Sequence, residues 1–381
     1  MSEKIPFTDC VDLAGSSVKK YDGTRLYVST GALDCDHIDF SQVEECTYEN
    51  KPSRANLVAD CGTILFAKMQ GTKKTIVLDD ETSDYIYSTG FMAVRAKAEI
   101  ISERCLYHLV TSAYFLRQKD KYCSGATQKA ITNKGLEKIM IAVPDTALQP
   151  GIAERLDLLD TASKLCQKIL ERFDDIIKSR FMEMFGDPTT NPKRWDKLPL
   201  GERCKIVTGN TPPRTDAQNY GSFLEWIKSD NINTPGTYLT TAYEFLSEKG
   251  FECCRYVEAG SVLMTCIAGS IGCIGNVGVA DRRVAFNQQI NAIVPDEDET
   301  MYIYWLMQLS KPFIQSTVNM ALKGILSKSK LSALEFPFPP VDLHQVFSTF
   351  AVDVVKSTVA VNKCLQKTEC LKSALMQQYF G

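Results

Sequence analysis

Residues 152–184, IAERLDLLDTASKLCQKILERFDDIIKSRFMEM, decide how the rest of the chain is read. Apolar residues recur three and four apart, at Leu156, Leu159, Cys166, Leu170, Phe173, Ile177 and Met184, and Ile169, Ile176 and Phe181 widen the stripe. Acids and bases fill the other face, among them Glu154, Asp157, Lys164, Lys168, Glu171, Asp174 and Lys178. No Gly or Pro interrupts it; Pro150-Gly151 precedes it and Gly186-Asp187-Pro188 stops it. At about 1.5 Å per residue this predicts a rod roughly 50 Å long. A spacing near 3.5 favours a coiled-coil partner over a globular pocket.

The same sequence holds that partner. A second segment, predicted from Val346 to Phe380, places apolar residues at Phe347, Phe350, Val354, Val361, Leu365, Leu371 and Leu375. The first segment ends Met184-Phe185-Gly186 and the second Tyr379-Phe380-Gly381, an offset of 195 residues (380 − 185). That offset also maps Leu170 onto Leu365, Cys166 onto Val361 and Leu159 onto Val354. The chain therefore reads as a duplicated unit of globular domain plus long helix. An internal repeat gives each helix a mate within the chain, so intramolecular antiparallel pairing is the simpler expectation than dimerisation.

Outward from the helices, two globular units follow one order of turns and apolar runs. Asp60-Cys61-Gly62-Thr63 and Ile64-Leu65-Phe66 in the first answer Glu258-Ala259-Gly260-Ser261 and Val262-Leu263-Met264 in the second. A helix predicted over Glu103–Leu116 answers one over Met301–Leu309. Lys129-Ala130-Ile131 is aligned with Lys323-Gly324-Ile325, and Leu136 with Leu331. The fold class expected is α+β: two mixed α/β domains related by an internal repeat and separated by two long antiparallel coiled-coil helices. The boundaries expected are 1–148 for the first domain, 149–187 for the central helix, 188–341 for the second domain and 342–381 for the C-terminal helix.

Composition narrows the function. The chain has 381 residues, 44% of them hydrophobic, and no apolar run long enough to cross a membrane. The start, Met1-Ser2-Glu3-Lys4-Ile5-Pro6, carries no signal-peptide apolar region, so a cytoplasmic location is expected. Fourteen cysteines without a C-x2-C pair read as reduced small hydrophobes, not zinc ligands. Three histidines leave little from which to build a nucleophile system. A net charge of −3 gives no global support for nucleic-acid binding, so any DNA site must come from local clusters. Gly269, Gly272, Gly275 and Gly278 match no phosphate-cradling pattern and read as loop and hairpin. No Asn-Pro-Pro-aromatic tetrapeptide marks a methyltransferase and no acidic nuclease constellation stands out, so no covalent chemistry, metal or cofactor is expected of this chain.

Local basic clusters remain. Lys73-Lys74, preceded by Lys68 and Gln70, and Arg282-Arg283, followed by Asn287-Gln288-Gln289, read as inter-strand loops at corresponding places in the two units. Paired bases suit phosphates, and Asn or Gln amides suit adenine edges. Two polar, basic segments precede the last strand of each unit: Gln128, Lys129, Asn133 and Lys134 in the first, and Lys323, Ser327 and Lys328 in the second. They can hold a DNA backbone, while Thr132 and Ser327 cap a short helix. Arg214, Lys228 and Ser229 complete the candidate DNA contacts. Phe181, Met182, Met184 and Tyr379, near the helix ends, are the candidate contacts to other subunits, with packing beneath the adjacent unit as the competing account.

With these residues in view the chain resembles the specificity subunits of type I restriction–modification enzymes over nearly its whole length. The resemblance rests on the alternation of units and helices and on short signatures. These are Trp195-Asp196-Lys197-Leu198-Pro199-Leu200-Gly201-Glu202, Thr208-Gly209-Asn210-Thr211-Pro212, Trp226-Ile227-Lys228-Ser229-Asp230-Asn231-Ile232, and Arg180-Phe181-Met182-Glu183-Met184-Phe185-Gly186-Asp187. The first unit departs from it, with Tyr27-Val28-Ser29-Thr30-Gly31 in place of the Trp-containing strand. The resemblance implies a non-catalytic subunit whose two target-recognition domains each read half of a split double-stranded DNA target. The helices then act as a ruler and dock two modification subunits, which carry S-adenosylmethionine; restriction subunits join that complex. A rod of roughly 50 Å matches about fifteen base pairs at ~3.4 Å each. A protein-binding scaffold with two modules on a helical spacer is the alternative, separated from the first by whether binding depends on DNA sequence.

Overall fold

The computed structural model describes residues 4–232, 236–296, 299–318 and 324–381. The chain divides into two units, Met1–Gln167 with Lys363–Gly381, and Lys168–Asn362, so each long helix contributes a segment to both.

In the first unit, apart from a two-residue hairpin pair at Leu33–Asp34 and His37–Ile38, the strands are β1 (Lys4–Pro6), β2 (Val11–Leu13), β3 (Arg25–Val28), β4 (Glu44–Cys46), β5 (Ala55–Leu57), β6 (Ile64–Ala67), β7 (Thr75–Val77), β8 (Ile86–Ser88), β9 (Phe91–Ala96) and β10 (Met140–Ala142). Its helices include α1 (Glu103–Thr111), α2 (Ala113–Lys121), the single turn α3 (Asn133–Leu136) and the long α4 (Gln149–Phe185). Two four-stranded sheets have the orders β4-β3-β8-β5 and β2-β9-β6-β7, and β1 pairs with β10. Only the β3–β8 pair within these sheets is parallel. The run Ile64-Leu65-Phe66-Ala67 is apolar throughout because β6 is buried on both faces. Ile64 and Phe66 pack with Leu106, Leu109 and Phe115 of the helices, while Leu65 and Ala67 pack with Val28 and Tyr87 of the other sheet and with Phe91 of their own.

The second unit repeats this arrangement. Apart from a two-residue pair at Ile267–Ala268 and Gly324–Ile325, its strands are β11 (Lys197–Pro199), β12 (Lys205–Thr208), β13 (Tyr220–Ile227), β14 (Phe245–Leu246), β15 (Tyr256–Val257), β16 (Val262–Thr265), β17 (Val277–Val279), β18 (Val284–Phe286), β19 (Ile290–Val294) and β20 (Glu335–Pro337). Its helices include α5 (Thr300–Leu309), α6 (Lys311–Ser316), α7 (Lys328–Ala333) and the long α8 (Val341–Phe380). The sheet orders are β14-β13-β18-β15 and β12-β19-β16-β17, with β11 on β20. Adding ten to a strand number of the first unit gives its counterpart, including the parallel pair β13–β18. Val262 and Met264 face the helical core, and Leu263 faces Ile227, Phe286 and Ala292.

The long helices pair antiparallel within each unit. In the first, Leu156 of α4 shares a core with Met376 and Phe380 of α8, and Asp160 pairs with Lys372. In the second, the Phe181 and Phe185 rings of α4 meet Phe347 of α8 at 5.4 and 5.5 Å. Fully burying each such ring stabilises by roughly 1.5–3 kcal/mol, so each unit holds its own segment of both helices.

Four expectations need correction. Helix α4 starts at Gln149, and Pro150-Gly151 lies inside its first turn, where a proline loses no hydrogen bond. Helix α8 starts at Val341, five residues before the predicted Val346. The predicted helix over Glu103–Leu116 breaks at Ser112, whose extended backbone ends α1 and whose Oγ accepts from Phe115 N at 3.1 Å to begin α2. The alignment of Lys129-Ala130-Ile131 with Lys323-Gly324-Ile325 is slipped by one. Ile131 N donates to Lys68 O as Leu326 N donates to Cys266 O, and the caps Thr132 and Ser327 follow each.

Candidate nucleic-acid interface

In the first unit the candidate residues converge on the β6–β7 turn. Lys68 and Gln70 leave β6, Lys73 is exposed at the turn, and the segment leading into α3 runs alongside. Gln70 N donates to Lys129 O at 3.0 Å and Ile131 N to Lys68 O at 2.9 Å, which ties the two stretches together. Lys68, Asn133 and Lys134 line one shallow depression with Met92 and Thr132. Gln128, Lys129, Asn133 and Lys134 are exposed. Two lysines are partly committed: Lys68 Nζ donates to Thr89 O (3.0 Å) and Lys74 Nζ to Thr30 O (2.8 Å). Burial pushes the Lys68 ammonium below its ordinary pKa.

A residue that sequence reasoning missed holds this turn. Lys119 of α2 is buried, and its ammonium donates to the carbonyls of Ala67, Met69 and Thr72 at 3.3, 2.9 and 2.9 Å. Its neighbour Asp120 accepts from Gly71 N at 3.1 Å. In the second unit Gln315 of α6 grips the β16–β17 connection instead, donating to Ile271 O and Ile274 O at 2.8 and 2.9 Å.

In the second unit a cluster forms around Trp226, which is buried at the parallel strand pair. The Arg214 guanidinium lies 5.2 Å from the Tyr220 ring and 5.3 Å from that of Trp226, and Lys228 Nζ lies 5.3 Å from Trp226. Glu244, just before β14, accepts from both: Arg214 Nη2 at 2.9 Å on one oxygen and Lys228 Nζ on the other. Hydrogen bonding from Lys228, then from Arg214, holds the Glu244 carboxyl below its usual range. Ser229 follows in the Lys228–Asn231 turn, braced by Asn231 Oδ1 accepting from Lys228 N at 3.0 Å. Gln288 is exposed and accepts from the Thr211 hydroxyl, while Asn287 is buried and bonded to Gln289. Ser327 and Lys328 are exposed at the start of α7, with Ser327 Oγ capping Lys330 N; Lys323 lies outside the described residues.

The two basic pairs do not occupy corresponding places. Lys73-Lys74 lies between β6 and β7, whereas Arg282-Arg283 lies between β17 and β18, the connection that in the first unit carries the acidic Asp79–Asp84 stretch. Similar local composition had suggested an equivalence that the strand order removes. Arg282 is also committed: it donates to both Glu225 oxygens at 2.8 and 2.7 Å and to Asp281. Arg283 is exposed and pairs with Glu258.

Of the residues expected to meet other subunits, Met182 is exposed. Phe181 is buried in the core of the second unit, Met184 packs against that core, and Tyr379 packs against the core of the first unit with its hydroxyl accepting from Arg155. Besides Met182, the exposed large apolar residues of the long helices include Leu158, Leu165 and Leu371 in the first unit, and Ile176, Val341, Val346 and Val359 in the second. Among the described residues no group of His, Cys, Asp and Glu could hold a metal, and no helix is long and apolar enough to cross a membrane.

Comparison with known proteins bears on both units. A family described as the type I restriction modification DNA specificity domain matches residues 25–173 and again 192–368. The specificity subunit of the type I restriction enzyme HindI from Haemophilus influenzae is 20% identical over 416 aligned residues, 88% of this chain and 89% of that one. The S subunit of a type I restriction–modification system from M. genitalium shares the fold with a TM-score of 0.64, at 13% identity, over 100% of this chain and 96% of its own. A chain from a structure of type I R-M complex assembly and conformational transition gives 0.58 at 18% identity, over 99% and 97%.

Proposed function

The chain belongs to the type I restriction modification DNA specificity family, and on that premise we propose how its parts divide the work of reading DNA. It is a DNA sequence-recognition subunit, and its partners are DNA and the other components of a restriction–modification complex. Residues 1–148 and 188–341 each read one half of a bipartite duplex target. Residues 149–187 and 342–381 set the unread spacer and dock two modification subunits, which bring the S-adenosylmethionine; restriction subunits join where the host makes them. The chain itself is non-catalytic, holds no cofactor and works in the cytoplasm.

One observation carries this reading: a single strand order, occurring twice, with a family match over each copy. Two copies of one domain suit two short tracts of base pairs better than one continuous site. Support for the contacts comes from the exposed polar and basic side chains at the β6–β7 turn and α3, and from the cations on Trp226. Direct readout needs such donors at the groove, and phosphates need the cations.

A gel shift with the modification subunit tests the reading. Duplexes carrying the bipartite motif methylated in the host genome should bind tightly, and scrambling either half should cost at least tenfold. Binding should also weaken steeply with salt. Indifference to sequence would favour the scaffold reading.

A further inference from the structure

Resting on that reading, we propose that Glu244 is a specificity-determining residue: it clamps Arg214 and Lys228 against each other and so penalises binding through phosphates alone.

Two cations share the neighbourhood of one indole, Arg214 Cζ and Lys228 Nζ each lying 5.3 Å from the Trp226 ring centroid. Neither is deeply buried; the Arg214 side chain is 56% exposed and that of Lys228 32%. Such a pair attracts the backbone of any duplex, because every phosphate offers the same charge. Glu244 opposes this by giving one carboxylate oxygen to each cation. The three groups together carry one positive charge instead of two. A phosphate approaching them must displace a carboxylate already in place and meet its like charge, a cost that falls on every sequence alike. Only a half-site that adds contacts to base edges offsets it.

The clamp is built, not incidental. Trp226 N donates to Glu244 O at 3.0 Å, and β14 lies on β13, so the strand register sets Glu244 beside Lys228 although sixteen positions separate them. The residues just before Glu244 are fixed as well: Asn231 Nδ2 donates to Thr240 Oγ1 and Thr241 O, and Ala242 N donates to Glu225 Oε2 at 2.8 Å. Arg282 in turn holds Glu225, which accounts for a basic residue turned inward at this loop.

The test uses Glu244→Gln in the full chain with its modification subunit. Binding is measured across a salt series on three duplexes: the methylated motif and the same duplex with either half scrambled. The expected result is stronger binding to scrambled duplex, about five- to tenfold, with a smaller gain on the intact motif, so that the specificity ratio falls. The salt slope on scrambled duplex should steepen by about one, the value for one more phosphate contact. Glu244→Asp keeps the charge and should restore most of the discrimination. Loss of binding to the intact motif alone would overturn the inference, because the carboxylate would then be reading a base edge such as a cytosine amino group. An unchanged ratio would overturn it too, leaving Glu244 as a brace for its loop. A wild-type chain indifferent to all three duplexes would instead defeat the reading of the chain as a sequence reader, and the Glu244 assignment with it.

Discussion

Lys119 and Glu244 show what a single residue contributes. A buried lysine is costly unless its ammonium is fully bonded. Lys119 meets that condition with three carbonyls, all from the turn that carries Lys68, Gln70 and Lys73. Substituting Lys119→Met leaves those carbonyls without their donor and should destabilise the first unit by about 1–3 kcal/mol. If the turn reads DNA, discrimination at one half-site should fall as well, with the other half-site unchanged. Melting curves and binding to half-scrambled duplexes check both; an equal loss at both half-sites would count against a local role. Neither residue could be singled out in the linear chain. Nothing about Lys119 distinguishes it from the lysines at positions 121 and 134, and Glu244 meets Lys228 only through the pairing of β13 with β14.

At the scale of elements, the long helices were the most legible feature and their anchorage the least. Periodicity located both, and Gly186, in left-handed backbone with φ +80, ends α4 where the Gly-Asp-Pro signal put it. What fastens them is a pair of buried histidine clusters. His108 of α1 bonds through Nε2 to Asp157 of α4 at 2.6 Å, with Arg104 on the same carboxylate and Asp160 and Lys372 nearby. His344 of α8 stacks on Tyr302 at 3.8 Å and bonds to Glu299, which also holds Arg203. Burial lowers both histidines below the ordinary 6.5, against the pull of their acids. The unfolded chain then binds protons that the folded one refuses, so stability present above pH 6.5 is lost as the pH falls below it. The melting temperature of the full chain should drop between pH 7.5 and 5.5; a flat or rising profile would contradict this. His108→Gln should reduce the drop.

For the whole molecule, the duplication makes the strongest claim. Identical strand orders in the two units imply that a unit can be exchanged as a block. Replacing residues 1–148 with those of another family member should alter one half-site and leave the other, as read from the methylated motif in cells carrying the hybrid. Lengthening both long helices by two turns, about 10 Å, should widen the spacer by about three base pairs with both half-sites intact. A change in both half-sites on exchange of one unit would refute the modular account.

The sequence by itself determined the duplication, the two helices and the family, because each is written in local periodicity or in the order of short motifs. Tertiary structure alone decided which cations are free. Arg282 and Lys74 looked like surface bases until strand order and loop closure brought Glu225 and the Thr30 carbonyl to them. Phe181 likewise looked available for a partner until its own unit enclosed it. The physical reason is the same in each case. A helix or a strand is specified by neighbours three, four or two positions away, whereas a side chain's charge and exposure are settled by groups tens of residues distant, and these meet only when the sheets close.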